Sequence, residues 1–527
     1  MLLLQLFVVV AVSLSLAWNR YLALRRNIKL ARDLDIDLII RRFTFVYWTW
    51  NLGYEPFERL GSDTIVTVAP GGITLHTCSP EIIAQIGRRH KDFLKPTRLY
   101  KIVDAFGSNL VSSNGQPWRR QRKAITPSFT EGNNSLVWTE SIHQTRCMLR
   151  RWEGQLQGSS KIHSFNIQDD LKTLAFHILN RAGFGVRLQW PGIPDTAGED
   201  AVGNSDTHTS LDGDGLEGGQ GMRFGDAMLV VVDHLKELFI FPKWVLKHAP
   251  SKSLNTIWLA HKEIESYLGK YISCQQNSIR EGETGSLSSP NIRSSLIENT
   301  LRHTSSANTE KTLTMDEIVG NCLTSRQALR LFPPANIMPK HTALGGPKIL
   351  RYNDREIHVP STTALNILAP STHQNPSYWP HQPSTSHSGN DLDEFNPERW
   401  FSAVPDESHH TDSGVDLGSD ADECLPTRNK FFTPKKGAFI PYSIGQRECI
   451  GKRFAQIEML AVMAVIFRDW TVELVVDGEE ELSDNEKMGA WEKTRENAKA
   501  HLKTGMEHYM TMQLKKGLIP LSFVKRR

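Results

Sequence analysis

The chain has 527 residues, 39% hydrophobic content and a formal net charge of +3 from 61 Lys+Arg against 58 Asp+Glu. That length can bury a large core, and the near balance of charge argues against a nucleic-acid-binding protein. The cysteines, at 78, 147, 274, 322, 424 and 449, are scattered without CxxC pairing, which argues against a disulfide scaffold or zinc ribbon and for reduced thiols facing a cytosol-like compartment.

Residues 1–18 (MLLLQLFVVVAVSLSLAW) are apolar except for Gln5, Ser13 and Ser15, and Arg20, Arg25, Arg26, Lys29 and Arg32 follow. This predicts a transmembrane anchor with the bulk of the chain kept cytosolic by the positive flank. The rival reading, a cleaved signal peptide, lacks the basic n-region. The expected layout is an anchor over 1–18, a basic linker and entry segment over 19–60 and one large domain over 61–527.

TIVTVAPGGITLHTC (64–78) reads as a hairpin turning at Pro70, Gly71 and Gly72. Ser79 and Pro80 then carry the N-cap and first-turn signals of a helix. Helical periodicity recurs in GQPWRRQRKAI, SIHQTRCMLRRWEGQL, DDLKTLAFHILNRA, FGDAMLVVVDHLKELFIF and TIWLAHKEIESYLGKYI. The polar stretches 192–221, 275–310, 382–393 and 402–428 lack apolar period and are expected to be loops or insertions. Gly213, Gly215 and Gly218 match the spacing of a dinucleotide fingerprint, but no strand precedes them and the acids among them would repel a pyrophosphate.

Near the C-terminal end, PYSIGQRECIGKRFAQIEML (441–460) sets Cys449 before an apolar helix pattern over 450–469. Amide N–H groups and the dipole at a helix start stabilise a thiolate. Gly445 and Gly451 allow tight turning and close approach of a flat ligand, and Arg447 supplies a fork for a carboxylate. Together these describe a seat for haem with sulfur as axial ligand. The plainer reading is an inert cysteine at a helix end.

Tyr442, Gly445, Arg447, Cys449 and Gly451 stand as in the haem-binding signature of cytochrome P450 monooxygenases, which this stretch resembles, with Tyr442 where the family usually has Phe. Trp118 and Arg122 resemble the family's WxxxR pair, which implies contacts to the haem propionates. LRLFPPA (329–335) resembles the segment around the ExxR motif, and FNPERW (395–400) resembles the PERF motif, which brings in Arg330 and Arg399. EIHVPSTTALNILAPSTHQNPSYW resembles the sheet and loop between them. The resemblance implies a mainly α fold with small β-sheets, in which residues 61–527 are a haem domain binding haem b through the Cys449 thiolate. It further implies insertion of one oxygen atom from O₂ into a hydrophobic small molecule. Electrons would come from NADPH-cytochrome P450 reductase, or from cytochrome b5 as a second donor, at the endoplasmic reticulum membrane. Lys435, Lys436 and Lys452 are candidates for the donor's docking face, although ordinary surface solubility explains each more simply.

Two departures stand out. The ExxR glutamate corresponds to Gln327, which is expected to leave Arg330 and Arg399 without their carboxylate at a cost of about 3–5 kcal/mol. LTMDEIVGNCL, with Thr314 and Glu317 as a capping box, begins like the family's central helix but reaches TSRQALRLFPP almost at once. The roughly 16 residues from Thr314 to Arg330 make about 24 Å of helix at most, too little to cross a haem and hand over to the next helix. The family's oxygen-activation motif is therefore expected to be missing with an internal segment, so that the alternative to a working monooxygenase is a catalytically impaired remnant. A skipped exon, a misjoined gene model and a degenerate protein all fit this gap.

Overall fold

Apart from breaks of a few residues, the computed structural model describes 2–40, 48–190, 222–280, 325–400, 432–476 and 483–526. The apolar start and its basic flank form one helix, α1 (Leu2–Arg32). The side chains of residues 1–12 lie outside the described ones, and among the described residues no helix is long and apolar enough to cross a membrane. Its second half is docked rather than free. Asn27 is buried and its Nδ2 donates to Ala69 O at 2.9 Å, while Leu24 and Ile28 pack on a sheet core. The expected entry segment over 19–60 therefore contains structure of its own: the end of α1, β1 (Leu38–Ile40), α2 (Trp48–Leu52) and α3 (Glu55–Leu60).

Next come the expected hairpin, β2 (Thr64–Ala69) and β3 (Gly72–Thr77), then α4 (Pro80–Arg88) and β4 (Phe93–Leu94). Ser79 caps α4 through a bond from Ile82 N, and Pro80 opens its first turn, as the sequence predicts. A mainly helical stretch follows: α5 (Gly115–Ile125), α6 (Glu131–Glu153), β5 (Lys161–Ser164), α7 (Ile167–Phe184), α8 (Phe224–Asp233), α9 (Leu235–Ile240), α10 (Lys243–His248) and α11 (Lys252–Arg280). The single helical pattern expected from Phe224 breaks at His234, whose φ −114° and ψ 28° are not helical. Val230, Val231 and Val232 stand just before this break, and such β-branched residues hold a helix weakly. Phe224, Ala227 and Val231 pack on Ala260 and Ile264 of α11.

The third part holds a helix at 325–331, which we call α12, then β6 (Ile337–Thr342), β7 (Lys348–Tyr352), β8 (Arg355–Val359), β9 (Ala364–Leu368) and α13 (Ala369–His373). It continues through α14 (Lys452–Asp469), β10 (Trp470–Leu474), α15 (Asp484–Gly505), β11 (Met506–His508), β12 (Met512–Leu514) and β13 (Leu521–Lys525). The expected start of the central helix at Thr314 lies outside the described residues.

The chain divides into two compact units. The first comprises Met1–Pro96, Cys322–Lys452 and Glu496–Gly517. Its main sheet runs β1-β2-β3-β9-β6-β4, in which β3 and β9 are parallel and β2–β3, β9–β6 and β6–β4 antiparallel. Val66, Val68, Leu75, Leu365 and Ile367 from this sheet meet Ile82, Ile83 and Ile86 of α4 in one apolar cluster, which sets α4 on the sheet by burial of its apolar stripe. The second unit comprises Thr97–Asn321, Arg453–Arg495 and Leu518–Arg527, with a small sheet ordered β10-β13-β5.

Candidate functional site

The loop that carries Cys449 is pressed onto α4. Gly445 has φ +70°, and a Cβ there would collide with the backbone of Gly87, whose own Cβ would come within 2.9 Å of the Ile444 side chain. Gly437, at φ +97°, meets Pro80 O in the same way. The clearance expected at Gly445 for a flat ligand is thus taken up by protein: the glycine admits the α4 backbone. Gly451 lies just before α14. Within the loop Ser443 N–H donates to Ile440 O at 3.1 Å, Cys449 N–H to Tyr442 O at 2.9 Å and Glu448 N–H to Gly445 O at 2.9 Å. Among the described cysteines, Cys78 and Cys147 are buried and Cys449 is exposed. Its thiol is therefore the one open to a ligand.

Arg447 belongs to a group of cations that the sequence reading missed. The β4–β6 register pairs Phe93 with Thr342 and Leu94 with His341; Lys95 follows β4 directly, near enough to Lys340 of β6 to feel its charge. Burial, together with the charges of Lys340 and Arg447, pushes the Lys95 ammonium down to about 7. Lys340 is pushed down to about 8 by burial and by Arg447. A group of three cations such as this can receive the carboxylates of an anionic ligand. Lone lysines carry no local signal; the β4–β6 pairing brings these two near each other.

Gln327 and Arg330 sit on α12 and are fully buried. The expectation that Gln327 leaves both arginines without a carboxylate fails for Arg399 and holds for Arg330, whose hydrogen bonds all go to neutral acceptors. Arg330 donates Nε to Gln327 Oε1 at 3.0 Å, Nη1 to His373 O at 2.8 Å and Nη2 to Leu392 O at 2.7 Å. Gln327 also accepts from Trp400 Nε1 at 3.2 Å and donates to Glu394 O at 3.1 Å. Arg399 finds its carboxylate in Asp391, with Nη2 to Oδ2 at 2.7 Å and Nη1 to Oδ1 at 3.1 Å. Burial raises the Asp391 carboxyl, but the bonds from Arg399, Gln382 N–H and Asn396 outweigh it and hold the group below the ordinary range. Burial and the nearby Arg399 push the Arg330 guanidinium down to about 9, against the pull of Asp391 and Asp393. The 382–393 stretch, read as a loop, thus carries a buried ion pair: Asp391 opens a 3₁₀ turn over 391–393 and its backbone N–H donates to Gln382 O.

Trp118 and Arg122 lie one turn apart on α5 in the second unit, where Trp118 is buried and the Arg122 guanidinium stands 5.7 Å over its ring. Of the lysines read as a docking face, Lys435 stands over the Tyr378 ring at 5.4 Å and Lys452 pairs with Glu448 at 2.8 Å.

The structure thus brings together a cysteine loop held to α4 at two glycines, a group of three cations that includes Arg447 of that loop, and a buried arginine network. The Cytochrome P450 family profile matches residues 58–325 and 326–499, in two pieces that abut at Ser325 and Arg326. A cytochrome P450 monooxygenase of Arthrobotrys oligospora is 25% identical over 506 residues, covering 82% of this chain and 80% of its own. Cytochrome P450 monooxygenase 124 of Postia placenta is 24% identical over 489 residues, covering 81% of each. The heme domain of cytochrome P450DA shares the fold, with a TM-score of 0.56 at 14% identity over 93% of this chain and 98% of that one. The chain belongs to the cytochrome P450 family and is by homology a cytochrome P450 monooxygenase.

Proposed function

We propose that the chain binds haem b, which the Cys449 thiolate would hold through its iron, for oxygenation of a hydrophobic small molecule with electrons from a separate NADPH-dependent reductase. The exposed thiol of Cys449, on a loop locked to α4 at Gly437 and Gly445, carries this reading. The donor set fits the group: a thiol for the iron, and Lys95, Lys340 and Arg447 for the two propionates. When bound, haem supplies one-electron acceptance and activation of O₂. The chain's own part is to present the thiolate, neutralise the propionates and hold the loop. With haem supplied, the reduced carbon-monoxide complex should show the red-shifted Soret band of thiolate ligation, and Cys449→Ala should abolish it. An unchanged band in that variant would overturn the assignment.

A second reading concerns competence, and a specific observation favours it. The family match is in two pieces that meet at Ser325 and Arg326, where the sequence passes from the start of a central helix to the ExxR segment. We infer that an internal segment is missing there and that the chain, as written, holds the proximal side of the site without the distal proton relay. Sequencing the transcript across codons 320–328 tests this: extra coding sequence in the main transcript supports it, and an uninterrupted reading identical to this chain in a fully active enzyme opposes it.

From the apolar sequence 1–18 and the basic residues after it we further propose an anchored, single-span protein of the endoplasmic reticulum with the bulk of the chain cytosolic. Resistance to carbonate extraction, with cleavage of the bulk by protease added outside sealed microsomes, is expected. Release by carbonate would contradict it.

A further inference from the structure

His373, the last residue of α13, is fully buried between the arginine network and the cysteine loop. Its Nδ1 lies 3.0 Å from Arg330 O, and its Nε2 is 2.9 Å from Ile440 N. Both partners are backbone atoms with fixed roles: a carbonyl only accepts and an amide N–H only donates. The ring must therefore be neutral, with its proton on Nδ1 and a lone pair on Nε2; the other tautomer and the imidazolium each set a ring N–H against the Ile440 N–H. Burial also pushes this imidazole down to about 3. Phe439 lies against the ring at 5.2 Å and Trp379 meets it edge-on at 6.3 Å, so the plane is held as well as the tautomer. His373 O accepts from Arg330 Nη1 at 2.8 Å, closing a ring of bonds between α12 and α13.

Ile440 is the root of the cysteine loop. Its carbonyl accepts from Ser443 N–H at 3.1 Å, Ser443 then takes φ +68°, and Tyr442 O accepts from Cys449 N–H at 2.9 Å. A continuous hydrogen-bonded path thus runs from Gln327 and Arg330 through the His373 ring to the backbone that carries the thiol. We propose that His373 is a positioning residue for Cys449: as the Nδ1-protonated tautomer it pins the loop root to the buried arginine and so sets where the thiolate meets its ligand, without touching that ligand itself. The assignment of Cys449 as the haem ligand is taken from the proposed function; the pinning of the loop stands without it.

The two amide side chains closest in shape to histidine separate its two nitrogens. Glutamine sets a carbonyl near the Nε2 position and can still accept from Ile440 N–H, whereas asparagine reaches only the Nδ1 position. In the chain without haem, His373→Asn should speed amide hydrogen exchange across residues 437–451 by about fivefold, the factor that goes with one lost buried hydrogen bond. His373→Gln should stay near wild type. With haem, the reduced carbon-monoxide complex of His373→Asn should show about fivefold more of the unshifted Soret form at equal haem content. A measurement on the unmodified protein guards against variants that fail to fold: nitrogen NMR of labelled histidine should show Nδ1 protonated and Nε2 bare. An Nε2-protonated ring, or exchange that rises evenly over the whole chain in His373→Asn, would overturn the proposal. Absence of a thiolate band in the wild-type chain alongside loop-specific exchange in His373→Asn would count against the haem reading and leave the pinning role supported.

Discussion

Asp391 shows how one residue redistributes a buried charge balance. In place of the ExxR glutamate, Gln327 hydrogen-bonds Arg330 as a neutral acceptor, and Asp391 pairs with Arg399 at 2.7 Å from a different part of the chain. Removing that carboxylate strands a guanidinium that is 2% exposed, so Asp391→Asn should cost about 3–5 kcal/mol in denaturant unfolding. Gln327→Ala, which removes a neutral acceptor, should cost less, about 1–3 kcal/mol. The folded Asp391 carboxyl lies below its ordinary value. Its stabilisation is therefore complete above the unfolded carboxylate pKa of about 3.9 and is lost as pH falls through the folded value. Acid unfolding of Asp391→Asn should accordingly show a shallower limb below about pH 4. The lysines have the opposite sense. Their folded values, about 7 for Lys95 and about 8 for Lys340, lie below the ordinary lysine range, so the ligand-free chain should gain stability as pH rises through and above those values. An anionic ligand reverses this, since it favours the charged lysines. Lys340→Met should weaken haem binding about tenfold or more near pH 7, with a smaller effect above pH 9, measured by haem titration.

At the scale of elements, much of the fold was legible because its signals are local. The β2–β3 hairpin turns at the expected Pro and Gly residues, α5 spans the expected GQPWRRQRKAI, and α14 begins two residues after the expected start at Ile450. The Ser79 cap was readable from type and position, and Ser79→Ala should lower stability by about 1 kcal/mol by thermal or denaturant unfolding. Where the reading failed, the deciding contacts were distant in sequence. Polarity made 382–393 look like a loop, yet Arg399 and Gln382 recruit Asp391 into the interior. His373, in the sequence one polar residue of a Ser, Thr, His and Gln run, is defined by Arg330 and Ile440 on either side. Gly445 was read correctly as a site of close approach but with the wrong neighbour, because the motif alone does not show that α4 comes within contact of it. The proposal for Cys449 rests on a local signal instead: Tyr442, Gly445, Arg447 and Gly451 lie within a few residues of it.

For the whole molecule, the proposed reading is a built thiolate side combined with a distal side that lacks its proton relay. The Asp391 carboxylate on Arg399 and the neutral hydrogen bonds of Arg330 reduce the instability expected from Gln327, so the proximal side should accept haem. Proton delivery to bound oxygen needs donors within hydrogen-bond reach, and exclusion of water limits side reactions. The roughly 16 residues from Thr314 to Arg330 would give about 24 Å of helix at most, which on the proposed reading leaves room for neither. The most direct test is turnover: the purified 527-residue chain, loaded with haem and supplied with reductase and NADPH, would be compared over a panel of hydrophobic substrates with a version in which the internal segment is restored. The account predicts reductant consumption without oxygenated product in the first and coupled oxygenation in the second. Product formation by the unaltered chain at an ordinary enzymatic rate of about 1–10³ per second would contradict it.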